Sequence, residues 1–168
     1  MRRLPSWNAV WKSAKVDVRP PSRVLIVDAN IVLSCALGLR AGEVLEFVGQ
    51  RRILAISQRA VEEVIGVSGR LADEGQPSAV LAPKLVDALS VVAHEQYAQL
   101  IPEAAKTLML APASRNGNSA DAHVLALAWQ AEADIWSHDR DFAGTGWPSW
   151  SSANLRAALA RETENPNP

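Results

Sequence analysis

The chain has 168 residues, 48% of them hydrophobic and 21% charged, with a net charge of −1; that is length for one buried core and the composition of an ordinary globular protein. No apolar run reaches the roughly 20 residues of a membrane span, the basic start MRRLPSWNAVWKSAK lacks the apolar stretch of a secretory signal, and a lone cysteine, Cys35, excludes a disulfide framework or a multi-cysteine zinc site. The expected compartment is the cytoplasm, without membrane association.

Charge is spread unevenly. Residues 1–23 hold six basic residues against one acid, Asp17, whereas the remainder holds eleven basic and seventeen acidic residues. Residues 1–22 read as a basic arm that could touch phosphates, pack on its own domain or stay solvated. Trp7 and Trp11, four residues apart, would share one face of a short helix. RPPSR (19–23) reads as a linker.

The domain itself is expected over residues 23–162. VLIV (24–27) is a continuous apolar run, the pattern of a strand covered on both faces. IVLSCALG continues as helix, with Cys35 a small core residue and Gly38 a stop. EVLEFVG is helical, and RRILAIS is a second strand. QRAVEEVIGVSGRL has helical spacing, and SAVLAPKLVDAL is helical but interrupted at Pro83. SVVAH reads as a third strand. EQYAQLIPEAAKTLML is helical, kinked or split by Pro102. NSADAHVLALAWQAEA is the clearest helix, with Trp129 in its apolar run. DIWSHD is a short strand with Trp136 in the core, and PSWSSANLRAALARE supplies a last strand and a closing helix. Residues 163–168 read as a frayed tail.

Strands alternating with helices predict an α/β fold: a three-layer α/β/α sandwich around a mostly parallel central sheet. Ligands of such sheets bind beyond the carboxyl ends of the strands. Asp28 follows the first strand there. Asp139 and Asp141, in WSHDRDF, follow a later one. Asp121 opens the clearest helix, for which Asn118 or Ser119 is a good N-cap; with Asn118 as cap it is the N3 residue of a capping-box-like start, and capping alone accounts for it when taken singly. Glu62 and Glu63 lie on the helix after the second strand, and one of the two can face the crevice. Carboxylates from several segments repel one another, the more so when buried. A hard divalent cation such as Mg²⁺ or Mn²⁺ is the usual remedy, and it suits phosphodiester hydrolysis.

Other residues read structurally. Strand alternation turns His138 away from Ser137 and Asp139. His123, two positions after Asp121 on a helix, would project about 200° away and share no metal with it. Gly-x-Ser-x-Gly and Walker-type loops are both missing from the sequence. A dehalogenase-like phosphatase would need Asp-x-Asp where Asp28-Ala29-Asn30 stands. A receiver domain would need an acidic pair and a late lysine after a strand.

Four segments together resemble the PIN domain, the metal-dependent ribonuclease fold typified by VapC-type toxins, over about residues 23–155. They are VLIVDAN with Asp28 and Asn30, ISQRAVEEV with Ser57 and Glu63, SADAHVLALA with Asp121, and SHDRDF with Ser137, Asp139 and Asp141. The family's glutamate, six residues after the serine, selects Glu63 over Glu62. Ser137 stands where the family usually has threonine. A further acid often found near the third motif has no counterpart just before Asp121. GTGWPSWSSANL is similar to the ending of some members, with Trp150 read as core.

The resemblance implies a Mg²⁺- or Mn²⁺-dependent endoribonuclease. Asp28, Glu63, Asp121 and Asp139 would be catalytic and hold metal, with Asp141 in an outer-shell or second-metal role. Asn30 and Ser137 would orient the ligands or the scissile phosphate, and Arg140 and Arg115 would hold the RNA backbone. The implied partners are an RNA substrate, a cognate antitoxin protein and a second copy of the chain. The alternative is an RNA-processing or non-catalytic binding module of the same fold.

Overall fold

The computed structural model describes residues 19–38, 41–111 and 119–164. Trp7, Trp11, Arg115, Asn118 and the end of the tail lie outside these residues. Five strands form one sheet: β1 (Val24–Val27), β2 (Ile53–Ser57), β3 (Ser90–Val92), β4 (Asp134–Trp136) and β5 (Ser149–Trp150). Their order is β3-β2-β1-β4-β5, and every pairing is parallel. The helices are α1 (Ala29–Leu37), α2 (Ala41–Gly49), α3 (Gln58–Asp73), α4 (Ala82–Val86), α5 (Ile101–Leu110), α6 (Ala122–Gln130) and α7 (Ser152–Glu164).

Side-chain alternation along the strands divides the core in two. Leu25, Val27, Leu54, Ile56 and Trp136 point to one face, against Ile31 and Val32 of α1, Val48 of α2, Val64 of α3 and Leu155 of α7. Ile26, Ala55 and Ile135 point to the other, against Leu108 of α5 and Val124, Leu125 and Leu127 of α6. Helices therefore cover both faces, which is why the strands read as unbroken apolar runs. The architecture is the expected three-layer α/β/α sandwich. Among the described residues, no helix is long and apolar enough to cross a membrane.

Both prolines divide their segments, as the sequence predicts, and they do so as helix starts. Pro102 and Pro83 sit in the first turns of α5 and α4, where a missing N–H costs no hydrogen bond. Neither kinks a continuous helix: the segments before them are 3₁₀ turns at Pro77–Leu81, His94–Gln96 and Ala98–Leu100. Helix α6 is shorter than its pattern, starting after Asp121 and stopping at Gln130. Its stop is a Schellman closure: Glu132 adopts φ 48°, Ala133 N donates to Ala128 O at 2.9 Å, and Glu132 N to Trp129 O at 3.2 Å. Trp129 is only half-buried, whereas Trp136 is fully buried.

The amino-terminal edge of the sheet is fastened by Asp134, 1% exposed. Its carboxylate accepts from Arg19 Nη1 at 2.8 Å, Ser22 N at 3.0 Å and Trp150 Nε1 at 2.8 Å. Ser22 Oγ in turn accepts from Asp134 N at 2.8 Å. Residues 19–22, read from sequence as linker, thus lie bonded to β4 on the edge opposite the strand ends that carry Asp28 and Ser137. Replacing Asp134 by Ala strands the Ser22 and Trp150 donors, while the more exposed Arg19 turns to solvent. The expected loss is about 2 kcal/mol of unfolding free energy, read by urea denaturation; an unchanged midpoint would refute this role.

Candidate metal centre

The strand order reverses between β1 and β4, which opens a crevice at their carboxyl ends. Asp28 lies at its base, 4% exposed, as the first residue after β1 and the N-cap of α1. Its backbone N donates to Trp136 O at 3.1 Å, so it is tied to the neighbouring strand. Two donors meet its Oδ2: Ser137 Oγ at 2.5 Å and Asn30 Nδ2 at 2.7 Å. Asn30 Nδ2 also lies 3.1 Å from Ser137 Oγ, and Asn30 Oδ1 accepts from His138 N at 3.3 Å. Asn30 and Ser137 therefore join β1 to β4 across the crevice and fix the orientation of the Asp28 carboxylate.

The stretch after β4 is built from two successive side-chain-capped turns. Ser137 Oγ accepts from Asp139 N at 2.9 Å, and Asp139 Oδ1 accepts from Asp141 N at 2.9 Å. Phe142, fully buried, seats the turn in the core. His138 is exposed and turns to α7, its Nε2 2.7 Å from Ser152 Oγ. Arg140 is exposed and lines a surface cleft with His138, Asp139 and Asp141.

The second wall comes from α3 and the start of α6. Ser57 caps α3, accepting from Ala60 N at 3.1 Å, and one turn on Glu63 faces Asp121. Ligand atoms of Glu63, Asp121 and His123 lie within 4.8 Å of one another. Glu62 is instead reached by Gln58 Nε2 at 3.4 Å. Two sequence expectations need correction here. Asp121 is the N-cap of α6, with φ −89° and ψ 13°, not its N3 residue, and its side chain makes no capping bond. Helical rotation therefore does not separate it from His123, and both line one cleft of about 380 Å³ with Arg59 and Glu63.

His123 is 3% exposed, with Nδ1 2.8 Å from Ser57 Oγ. Ser57 Oγ also accepts from Ala60 N at 3.1 Å, so one buried hydroxyl joins the start of α3 to the His123 ring. The ring stands beside the Glu63 and Asp121 carboxylates at the cleft wall. Burial, with Arg59 and His94 nearby, lowers its pKa to about 4, so the ring is neutral.

The acids sense one another. Burial pushes the Asp28 carboxyl up to about 7 against the lowering bond from Ser137, with Asp121 and Glu63 adding to the rise. Asp121 is raised to about 6 by burial, then by Glu63, Asp139 and Asp141. No salt bridge among the described residues involves any of these five acids; the two that form are Arg19–Asp134 and Arg52–Glu162. A carboxylate-rich donor set of this kind, with one imidazole beside it, fits a hard divalent cation such as Mg²⁺ or Mn²⁺. Arg59 and His94 escaped the sequence reading, although Arg59 stands four residues before Glu63 on one helix face, which is a legible spacing.

A family model described as PIN domain matches residues 26–160. No curated protein matches the chain. Among solved structures, PAE2754 from Pyrobaculum aerophilum aligns with a TM-score of 0.58 at 15% identity, over 88% of this chain and 97% of that one. VapBC-1 from nontypeable Haemophilus influenzae gives 0.56 at 19% identity, over 77% and 98%. VapBC2 from Rickettsia felis, bound to a DNA fragment from their promoter, gives 0.54 at 15% identity, over 76% and 98%. At these identities the likeness is one of fold.

The raised carboxyls carry a sign. Folded Asp28 keeps its proton to about pH 7, against an ordinary value of 3.8, so its contribution to stability falls as pH rises between the two. His123 works in reverse, its contribution falling as pH drops from 6.5 towards about 4. A comparison of Asp28→Asn with the unsubstituted chain cancels the histidine. In chelator-treated protein, urea unfolding should show the difference moving in the variant's favour up to about pH 7 and level beyond it. A pH-independent difference would mean that Asp28 titrates normally.

Proposed function

The chain belongs to the PIN domain family, and from that premise we propose that it is a Mg²⁺- or Mn²⁺-dependent endoribonuclease acting as the toxin of a toxin–antitoxin pair. One observation carries the catalytic part: carboxylates from four separate segments sense one another at the crevice between β1 and β4, and none of them forms a salt bridge among the described residues. Like charges held together at a sheet's ligand-binding edge are stable only with protons or a cation, and a cation is what phosphodiester hydrolysis requires.

In this reading Asp28, Glu63, Asp121 and Asp139 hold the ion, and Asp141 stands behind Asp139. When bound, Mg²⁺ or Mn²⁺ supplies Lewis acidity at the phosphoryl oxygens and a water of lowered pKa. Asn30 and Ser137 keep the Asp28 carboxylate aimed into the crevice, and their hydrogen bonds offset part of its burial. Ser137 also fixes the turn that presents Asp139, so one hydroxyl positions two ligands. Serine suffices in place of threonine because only the oxygen is used. Arg140, exposed beside Asp139, would meet an RNA phosphate.

The toxin part rests on the VapBC-named neighbours and is correspondingly separate. An antitoxin would act by covering the acidic crevice, and the chain would dimerise as a toxin of this class does. An all-present acid set favours cleavage over a purely binding module of the same fold.

Purified protein with labelled single-stranded RNA should cut in Mn²⁺ and stop on chelation. Asp28→Asn and Asp139→Asn should each lower the rate roughly a hundredfold or more, as expected for loss of a metal ligand or its charge. Equal inertness of all three proteins across a broad RNA panel would end the nuclease reading. For the toxin part, expression alone should arrest growth, and the protein encoded beside it should restore it. Unimpeded growth of cells holding cleavage-competent protein would remove that part and leave the nuclease.

A further inference from the structure

The cleft of the acidic centre does not end at Asp121. A second cleft, of about 370 Å³, adjoins it and is walled by His94, Ile101, Ala105 and Ser119. Arg59, Ala120 and His123 line both. Each volume lies within the roughly 300–1,000 Å³ of small-ligand sites. We propose that this continuation seats a ribonucleotide flanking the scissile phosphate, with the Arg59 guanidinium on its phosphate and the His94 ring against its base. The proposal rests on the ribonuclease reading above and names its substrate subsite.

Three features support it. Arg59 is exposed, one turn before Glu63 on α3, and forms no salt bridge among the described residues. A guanidinium left unpaired within reach of a carboxylate cluster is available to an anion from outside. His94 is exposed too, but its position is fixed: its backbone N donates to Gln58 Oε1 at 3.4 Å. Its ring meets the buried Tyr97 edge-on, with centroids 5.5 Å apart at 73°. An imidazole plane beside apolar Ile101 and Ala105 is a surface on which an unstacked base packs. The order along the groove is therefore acids, cation, flat ring with apolar wall. This matches the order along a nucleotide chain of a metal-held scissile phosphate, the next phosphate and its base. An acidic peptide would satisfy Arg59 but would set its carboxylates against Glu62, Glu63 and Asp121, with no base to fill the far end.

The test uses a fluorescein-labelled single-stranded RNA of about ten nucleotides, with binding read by anisotropy over a KCl series. Binding is measured in the Asp28→Asn background with Mn²⁺ present, so that RNA stays uncut. Adding Arg59→Ala should weaken binding about tenfold, the lower end for a hydrogen bond to a charged group. It should also reduce the slope of log Kd against log salt by about 0.7, one phosphate contact on a single strand; Arg59→Lys should recover the slope. Adding His94→Ala should weaken binding about fivefold or more with the slope unchanged, the mark of a base contact. Thermal midpoints matching the parent's would show that both variants fold. Variants that bind with the parent's affinity and slope, while the unsubstituted chain cuts the same RNA in Mn²⁺, would overturn the subsite and leave the nuclease standing. An unsubstituted chain that neither binds nor cuts RNA would overturn both.

Discussion

A buried carboxylate at the end of the first strand is the constraint on which the site depends. Asp28 is nearly inaccessible and forms no salt bridge among the described residues, so each neighbour either eases its charge or raises its pKa further. Ser137 and Asn30 ease it, and in doing so cross-link β1 to the segment after β4. Asp121 and Glu63 raise it. Such an arrangement persists because the sheet beneath it leaves no alternative: Leu25, Ile26, Val27, Ile135 and Trp136 are all fully buried, and the chain after β1 and β4 can emerge only into the crevice. Core packing thus supplies the energy that holds like charges together.

The same scaffold explains how four unrelated segments meet. In a parallel sheet all strands end on one edge, so the residue after each strand is delivered to one rim. Asp28 follows β1, Ser57 ends β2, His94 opens the turn after β3, and Ser137 follows β4. Ser57 does two jobs from there. It caps α3, which orients the helix carrying Arg59 and Glu63, and it holds Nδ1 of His123 at the start of α6. One buried hydroxyl therefore sets two walls of the cleft relative to each other, as Ser137 does for Asp28 and Asp139.

Much of this was legible in the sequence, for definite reasons. Four apolar residues before Asp28 mark a doubly covered strand, and Asp139-Arg140-Asp141-Phe142 after Asp134-Ile135-Trp136 mark another strand end. What escaped was set by details of helix starts. Asn118, Ser119 and Asp121 are all good N-cap residues, so nothing in the sequence shows that the helix begins only after the last of them. That shift of a few residues moved Asp121 to the cap and brought His123 into the cleft instead of away from it. Pro83 and Pro102 were legible as breaks, because a proline between helical residues favours the first turn of a new helix. Pairing across the fold, as between Arg19 and Asp134 or Ser57 and His123, joins residues 115 and 66 positions apart and leaves no local trace.

Asp134 shows why burial alone does not identify a functional acid. It is more completely buried than Asp28, in the same sheet and one strand away. Yet it is compensated on every side: a guanidinium, an indole N–H and a backbone N–H all donate to it. Arg52 and Glu162 are matched likewise, at the surface between the segment before β2 and α7. The chain can therefore pair its structural acids, and does so with its own cations. At the crevice it places arginines beside the acids, Arg59 and Arg140, but forms no salt bridge with them among the described residues. Acids left for an external cation and arginines left for an external anion, side by side, have one common complement: a polyanion that arrives with a divalent metal. On the ribonuclease reading a phosphodiester chain would be that complement, and the contrast with Asp134 sets the buried, uncompensated Asp28 apart from a buried structural acid.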